Sequence, residues 1–256
     1  SGRLMLELGA GAGRNTPRYS GFDRIVLLDY SLSQLQQAQE RLGKDERFIY
    51  VAADIYRLPF TSELFDAATM IRTLHHMADP KLALSQVRRV IQSGGVFILE
   101  YANKQNIKAI LRYWLRRQSW SPFTLDPVEF VKLNFDFHPE YIRNLLSDLQ
   151  FAVQRQLTVS HFRMAILKKL IPLKLLISMD AFAQLTGNWW QLTPSVFVRS
   201  QKVGHGSGAR DGLFFCCPQC GSELVDRADT TISCTACSLS WRIQDGIYDF
   251  RHPINE

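Results

Sequence analysis

The sequence predicts an α/β fold in which a doubly wound, mostly parallel sheet is followed by a small C-terminal module. Three observations lead to this expectation: short apolar runs alternate with helical patterns over residues 1–200, a glycine-rich turn closes the first run, and all five cysteines fall between Cys216 and Cys237. Uninterrupted apolar runs are typical of strands that are buried on both faces, as in a parallel sheet. Such sheets bind their ligands at the carboxyl ends of the strands.

Composition and charge place the chain among globular proteins and divide it in two. Of its 256 residues, 46% are hydrophobic and 21% are charged, which excludes a disordered chain and a collagen-like repeat. Lysines interrupt the longest apolar stretch, so we expect no conventional membrane span.

The net charge is +6, but residues 211–256 hold three Arg and seven Asp or Glu. That segment therefore carries −4 and leaves +10 on residues 1–210. The predicted domains are 1–202, a glycine-rich linker over 203–212, and 213–256.

The apolar and helical patterns assign the individual elements. The predicted strands are 4–8, 25–29, 48–53, 65–71, 96–101, 151–157 and 196–199. The predicted helices are 31–42, which follows a serine cap and precedes Gly43, and 80–91 and 139–149, each with proline in its first turn. Strand and helix alternate, which is the pattern of βαβ units.

The first predicted strand ends in a turn that is suited to a nucleoside ligand. Gly9, Ala10 and Gly11 open a Gly-x-Gly-x-Gly sequence, in which glycine lets the backbone approach a ligand closely. Asp29 ends the second strand, 20 residues after Gly9, where a carboxylate accepts ribose hydroxyls. A dinucleotide fingerprint requires glycine at the position of Arg14. Glu7 would repel a pyrophosphate but attract a sulfonium or ammonium group, so a cationic nucleoside is favoured.

These motifs resemble the class I S-adenosylmethionine-dependent methyltransferases, in particular the branch with the quinone-biosynthesis C-methyltransferases. The resemblance covers residues 3–101 and rests on LELGAGAGRNT, the strand ending in Asp29-Tyr30, the Ala-Ala-Asp54 element with Leu58-Pro59-Phe60, and FDAATMIRTLHHMADP. It implies a Rossmann-like sheet of seven strands. The family also has a helix before the first strand, which we expect to be missing from residues 1–202.

The resemblance also implies which residues hold S-adenosylmethionine. Glycines 9 and 11, with Ala10 and Glu7, would surround the methionine part, Asp29 would hold the ribose, and Tyr30 would pack on the adenine. The remaining predicted contacts are Asp54 and Ile55 at the adenine edge and Met70 on the floor of the site. The alternative is that the turn is only a tight turn and that Glu7, Asp29 and Asp54 are ordinary carboxylates at strand ends.

Two histidines follow the fourth predicted strand and are the candidate general bases. A sulfonium methyl group is already activated, so a base is needed only when the acceptor carries a proton of high pKa. His75 and His76 stand where the crevice is expected. The alternative is that they begin a connection and bond only to the backbone.

Two insertions after the fifth and sixth predicted strands are expected to cover the substrate. The first, 103–138, carries a basic stripe every four residues, and the second repeats this theme less regularly. The two basic sets are Lys104, Lys108, Arg112 and Arg116 with Arg117, and Arg163, Lys168, Lys169 and Lys174. Apolar residues lie opposite the first stripe, as in an amphipathic helix. This pattern of basic and apolar residues is compatible with three interpretations. The insertions could contact a membrane surface and a lipophilic substrate, or they could contact RNA phosphates. The third interpretation is a solvated face on a helix packed against the core.

The cysteines form two CxxC pairs with 13 residues between them. Cys217, Cys220, Cys234 and Cys237 are the predicted ligands of one structural, tetrahedral zinc ion. Cys216 is left over as a free thiol or a buried residue. The module resembles short zinc-ribbon proteins that activate tRNA and translation-factor methyltransferases. This resemblance implies docking on the catalytic domain or presentation of a substrate. Reduced thiols predict a cytoplasmic protein.

Three functional hypotheses follow from these features. The first is a methyltransferase with a small, lipophilic acceptor. The second is an RNA or protein methyltransferase whose zinc ribbon helps to present the substrate. The third is a non-enzymatic scaffold that keeps a degenerate cofactor domain.

Overall fold

The structure, a computed structural model, describes residues 1–256 except 44, 163–170, 205, 207, 211, 225–227 and 255–256. The chain forms two compact units. Unit 1 comprises residues 1–70, 81–97 and 202–256, and unit 2 comprises residues 71–80 and 98–201. Arg163, Lys168 and Lys169, predicted to be part of the second basic insertion, lie outside the described residues.

The strands and helices follow the predicted alternation. The strands are β1 (Gly2–Leu8), β2 (Phe22–Asp29), β3 (Phe48–Ala52), β4 (Phe65–Met70), β5 (Ile91–Ala102), β6 (Val128–Val131), β7 (Asn134–Asp136), β8 (Phe151–Val159), β9 (Ser195–Lys202), β10 (Phe215–Cys216), β11 (Glu223–Leu224), β12 (Thr231–Ser233), β13 (Ser240–Gln244) and β14 (Ile247–Asp249). The helices are α1 (Leu32–Leu42), α2 (Pro80–Val90), α3 (Ile107–Trp114), α4 (Pro139–Asp148) and α5 (Leu173–Gln184).

Unit 1 is built on a sheet whose strand order is β12-β13-β14-β3-β2-β1-β4-β5. Strands β1 to β4 pair in parallel, with β1 between β2 and β4. From β1 the chain continues to β2 on one side and later to β4 on the other, so the order reverses beside the carboxyl end of β1. This reversal is the place where open α/β sheets bind ligands, and the glycine turn predicted from the sequence lies there.

The C-terminal module completes this sheet. Strand β14 pairs in parallel with β3 and places Ile247 opposite Tyr50 and Asp249 opposite Ala52. The side chain of Ile247 is 1% exposed and lies in the same hydrophobic cluster as Met5 and Ile25. The module therefore packs within unit 1, and the division into 1–202, 203–212 and 213–256 stays a prediction. The seven predicted strands are all present, and β12, β13 and β14 extend the sheet beyond them.

A second contact joins the start of the module to the Leu58-Pro59-Phe60 motif. The Cys216 amide donates to the Pro59 carbonyl at 3.0 Å, and the rings of Phe60 and Phe215 stack with centroids 5.9 Å apart. The Arg89 guanidinium donates to the carbonyls of Leu58 and Phe60 at 2.7 and 2.6 Å. Cys216 is buried here with its sulfur 3.0 Å from the Phe60 carbonyl, as expected for the buried alternative.

Unit 2 contains the second half of β5, followed in sheet order by β9 and β8. Its first insertion contains α3, where the sequence predicted an amphipathic helix. It also forms a two-stranded hairpin of β6 and β7, which the sequence did not predict. Lys104, predicted to lie on the basic stripe, is instead fully buried. Its ammonium donates to the Thr124 hydroxyl at 2.9 Å and the Asp126 carbonyl at 2.6 Å. Of the predicted stripe, Lys108 and Arg112 lie on α3, whereas Arg116 and Arg117 follow the end of the helix, and Arg116 has a positive φ of 54°. Among the described residues, none of the helices is long and apolar enough to cross a membrane.

Candidate functional site

The glycine turn at the end of β1 has the backbone shape that its sequence predicts. Gly9, Gly11 and Gly13 all adopt positive φ angles, of 67°, 53° and 66°. At Gly13 an added Cβ would lie 3.2 Å from the Ala38 Cβ, so glycine also lets the turn pack against α1. Positive φ is strained for other residue types, and the turn therefore depends on glycine for its shape.

Asp29 lies beside this turn and is held by two backbone amides. Its two carboxylate oxygens accept from the Gly11 and Ser31 amides, each at 2.8 Å. An ionised carboxylate has about four acceptor positions, so two remain for the hydroxyls of a ribose. The carboxylate is thus fixed in orientation and still has the acceptor capacity that the predicted contact requires.

Glu7 is a buried carboxylate under the turn. It is 4% exposed and accepts from the Thr16 hydroxyl at 2.6 Å and from the Tyr19 hydroxyl at 3.4 Å. Burial raises the pKa of Glu7 to about 7, although both hydrogen bonds act in the opposite direction. Burial and the nearby Glu7 also raise the pKa of Tyr19. A cationic ligand would favour the ionised form of Glu7, since opposite charges attract strongly where water is excluded.

The predicted adenine contacts lie at the carboxyl ends of β2 and β3. The Tyr30 side chain is 56% exposed, which leaves its ring accessible for stacking, whereas Ile55 is 7% exposed. Asp54 caps the short 3-10 helix Ile55–Arg57 by accepting from the Tyr56 amide at 2.9 Å. Met70 is fully buried at the end of β4. The structure gathers these residues in unit 1, and their cofactor contacts stay predictions.

His75 and His76 lie in unit 2, in the short 3-10 helix Leu74–His76. Their ring centroids are 4.0 Å apart, and Nδ1 of His76 lies 3.1 Å from the Leu133 carbonyl. Burial, together with the neighbouring His76 and Arg72, lowers the pKa of His75 to about 4. His75 is therefore neutral at physiological pH, and a pKa this far below 7 makes it a weak base. The catalytic role of either histidine stays a prediction.

Several residues that hold these groups were not predicted from the sequence. Thr16 and Tyr19 position Glu7, and Thr16 closes the motif LELGAGAGRNT, which is the only signal that pointed to it. In unit 2, Glu100 accepts from the Arg72 amide at 2.8 Å and from the Ser195 hydroxyl. Arg72 needs this support because its φ of 57° is unfavourable for a residue with a side chain.

The four cysteines of the two CxxC pairs converge in unit 1. Their sulfur atoms all lie within 4.8 Å of one another, and no other cluster of this kind occurs in the described part of the chain. The sulfurs of Cys217 and Cys237 are 3.6 Å apart, and those of Cys220 and Cys234 are 3.5 Å apart. A tetrahedral zinc ion with Zn–S bonds of about 2.3 Å separates its ligands by about 3.8 Å. The arrangement therefore fits a four-coordinate zinc ion.

Comparison with known proteins supports the interpretation of residues 6–99. Residues 6–99 match the family model described as a methyltransferase domain. The demethylmenaquinone methyltransferase of Clavibacter sepedonicus is 31% identical over 100 residues, which are 39% of this chain and 41% of the relative. The ubiquinone/menaquinone biosynthesis C-methyltransferase of Saccharophagus degradans is 32% identical over 114 residues, 41% of this chain and 46% of the relative. An uncharacterized chloroplastic methyltransferase of Arabidopsis thaliana is 36% identical over 106 residues, 38% of this chain and 30% of the relative. The chain thus spans less than half the length of these relatives.

Solved structures share the fold over most of the chain. A complex between the Haloferax volcanii Trm112 methyltransferase activator and a methyltransferase matches with a TM-score of 0.55 and 16% identity, over 80% of this chain and 84% of that one. A methyltransferase from Mesorhizobium loti, described as S-adenosylmethionine-dependent, matches with a TM-score of 0.53 and 16% identity, over 79% and 92%. Residues 6–99 accordingly match a methyltransferase domain in sequence, and the solved structures show that the chain shares the fold of such domains.

Proposed function

We propose that the protein transfers a methyl group from S-adenosylmethionine to a lipophilic small-molecule acceptor by in-line displacement. The observation that carries the proposal is the pair of carboxylates at the switch point of a matched methyltransferase domain. Asp29 retains acceptor positions for a ribose, and buried Glu7 lies in β1 beneath the glycine turn, where a cation would favour its ionised form. A dinucleotide is a poor fit, because its pyrophosphate would approach the same acid.

The chain's part in this reaction is mainly to position the reactants. The cofactor supplies an activated methyl group on a sulfonium, so alignment of donor and acceptor contributes much of the rate acceleration. Glu7 provides negative charge beneath the turn, and Asp29 orients the nucleoside. His75 and His76 are proposed to accept a proton only when the acceptor loses one of high pKa, and the low pKa of His75 makes it a weaker base than an ordinary histidine in this role.

The exposed faces of unit 2 support a lipophilic acceptor and contact with a membrane surface. In α3, Ile107, Leu111 and Trp114 are 57%, 49% and 67% exposed, and Ala109 is the buried residue of the helix. This exposure supports a binding surface over the alternative of a solvated basic face on a helix that packs its apolar side against the core. The exposed basic side chains on this helix are Lys108 and Arg112. A helix with exposed apolar and basic stripes suits an anionic membrane interface.

Helix α5 and the residues after it have the same character. Phe182, Trp189 and Trp190 are 76%, 78% and 57% exposed, and Leu176 is the buried residue of α5. Exposed apolar surface of this extent marks a binding surface more often than ordinary solvent-facing surface. Two of the relatives are named for quinone methylation, which supports an acceptor of low polarity.

An RNA or protein substrate is the second candidate, and the cysteine module favours it. One solved structure of the same fold is a complex of a methyltransferase with the activator Trm112, and the module of this chain pairs with strand β3 of the matched domain. Under this proposal the module, held together by a structural zinc ion on Cys217, Cys220, Cys234 and Cys237, helps to present a macromolecule. A cytoplasmic location, where thiols remain reduced, is proposed with either substrate class.

The deciding experiment measures both cofactor binding and the fate of the methyl group. Calorimetry should detect binding of S-adenosylhomocysteine, and Asp29→Ala should abolish it, because the ribose then loses its carboxylate. Asp23→Ala is the matched control, since it removes an exposed carboxylate from the same strand. Absence of binding to the unaltered protein would leave only the scaffold hypothesis.

Tritiated S-adenosylmethionine, incubated with the protein and a cell extract, then separates the substrate classes. We expect label in the lipid or small-molecule fraction. Label found only in RNA or protein would refute the lipophilic acceptor and favour the second candidate.

A further inference from the structure

We propose that the C-terminal module builds one wall of the adenosine site, with Arg251 as a residue that positions Tyr30. The proposal rests on the proposed use of S-adenosylmethionine and adds a part of the chain that no cofactor motif includes. Its evidence lies wholly within unit 1, and it concerns the nucleoside part of the ligand.

The first observation is the contact between Arg251 and Tyr30. The guanidinium carbon lies over the Tyr30 ring, 5.9 Å from its centroid, and Nη1 is 3.4 Å from the Tyr30 carbonyl. A cation over an aromatic face is attracted by the ring quadrupole. Arg251 therefore restrains both the ring and the backbone of the residue that is predicted to pack on adenine.

The second observation is that Arg251 is itself held firmly. Asp249 accepts from Nε at 2.8 Å and from Nη2 at 2.6 Å, which is the two-point geometry of a strong guanidinium–carboxylate pair. Asp249 in turn lies on β14, opposite Ala52 of β3. The pair is neutral overall, so it brings no net positive charge towards a cationic sulfonium ligand.

The third observation is a cavity beside Asp54. It has a volume of about 210 Å³ and is lined by Asp54 and Arg57 of the methyltransferase domain and by module residues that include Trp241, Phe250 and Arg251. Asp54 is the predicted acceptor for the adenine amine. The Arg57 guanidinium, in the 3-10 helix that Asp54 caps, lies 3.3 Å from the Gln219 side-chain oxygen. The module thus touches both elements that are predicted to hold adenine.

These contacts predict how single substitutions change nucleoside affinity. Arg251→Ala should weaken binding of S-adenosylhomocysteine by roughly three- to tenfold, the range expected for a lost cation–ring contact and a freed aromatic side chain. Arg251→Lys keeps the charge but loses the two-point pair, so its loss should be smaller. Arg210→Ala is the matched control, because Arg210 is an exposed arginine that pairs with Glu223. Its affinity should match that of the unaltered protein.

Calorimetry with two ligands shows which part of the ligand Arg251 affects. 5′-Methylthioadenosine shares the adenosine of S-adenosylhomocysteine but lacks the amino-acid part, so Arg251→Ala should weaken both ligands by the same factor. The melting temperature and the zinc content of each variant establish that the module remains folded.

Three results would overturn this assignment. Equal affinity of Arg251→Ala and the unaltered protein would show that the module is not part of the site, and the proposed function would stand. A loss confined to S-adenosylhomocysteine would remove Arg251 from the nucleoside side. If the unaltered protein binds neither ligand, the proposed function itself is wrong.

Discussion

A substitution at Ile247 tests most directly whether the C-terminal module and strands β1 to β4 of unit 1 fold as one cooperative unit. Its side chain is 1% exposed and shares a core cluster with Met5, Ile25 and Leu27. Replacement by alanine removes about three buried carbon atoms, and at about 0.8 kcal/mol for each the transfer part is about 2.4 kcal/mol. The cavity left behind adds to this, so we expect Ile247→Ala to lower the free energy of unfolding by about 3 kcal/mol.

Urea unfolding, followed by far-UV circular dichroism, measures this loss. With a denaturant slope of about 2.5 kcal/mol per molar, the midpoint should fall by about 1.2 M. Ile254→Ala is the matched control, because Ile254 belongs to the same module but is 44% exposed. It should change the free energy of unfolding by less than about 0.5 kcal/mol.

Hydrogen exchange shows which strands are affected. If β14 is part of the unit 1 core, Ile247→Ala should speed exchange in β2 and β3 as well as in β14. Faster exchange confined to residues 240–250, with β2 and β3 as protected as before, would refute the idea of a shared core.

Three further predictions concern the carboxylate, the cysteines and the exposed helix. Burial raises the pKa of Glu7 in the folded protein to about 7, above the ordinary glutamate value of 4.5. The unfolded chain therefore gives up this proton first, and stability falls as the pH rises from about 4.5 to 7. The fall is roughly 2–3 kcal/mol; urea midpoints at pH 5 and pH 7 should show it, and Glu7→Gln should remove this contribution. Cys220→Ser should release zinc, measured by a colorimetric chelator, whereas Cys216→Ser should retain one ion per chain because its sulfur lies against the Phe60 carbonyl instead. Flotation with anionic vesicles should recover the protein, neutral vesicles should recover less, and Leu111→Ser with Trp114→Ser should reduce recovery, while equal recovery would count against the membrane surface.

The strands of the methyltransferase domain were predictable because their signal is local. The apolar run at 25–29 lies within β2 (Phe22–Asp29), and the run at 65–71 nearly coincides with β4 (Phe65–Met70). A strand buried on both faces must be apolar throughout, so its sequence is recognisable without knowledge of its partners. The glycine turn was predictable for a similar reason, since the required positive φ angles select glycine.

The features that depend on distant partners were not predictable in the same way. Lys104 was placed on an exposed stripe by its spacing, but Thr124 and Asp126 from the same insertion provide oxygen atoms that satisfy its ammonium when buried. Spacing along a helix has no information about such a partner. Glu7 was identified from the sequence as a candidate cofactor contact. Its raised pKa was not predictable, because it depends on the burial that the fold creates.

The resemblance to zinc-ribbon activators predicted docking of the C-terminal module, but it did not predict that β14 would pair with β3. The edge of β3 suits the module for two physical reasons. Without the module, β3 would be an edge strand of unit 1 with unpaired amides and carbonyls, which invites association with other chains. A module of this size buries too little surface to fold without a metal ion or a partner. The pairing of Ile247–Asp249 with β3 meets both requirements, because it satisfies the β3 backbone and gives the module an apolar core to share. The outer edge then passes to β12, which has three residues and offers a much shorter template for unwanted pairing.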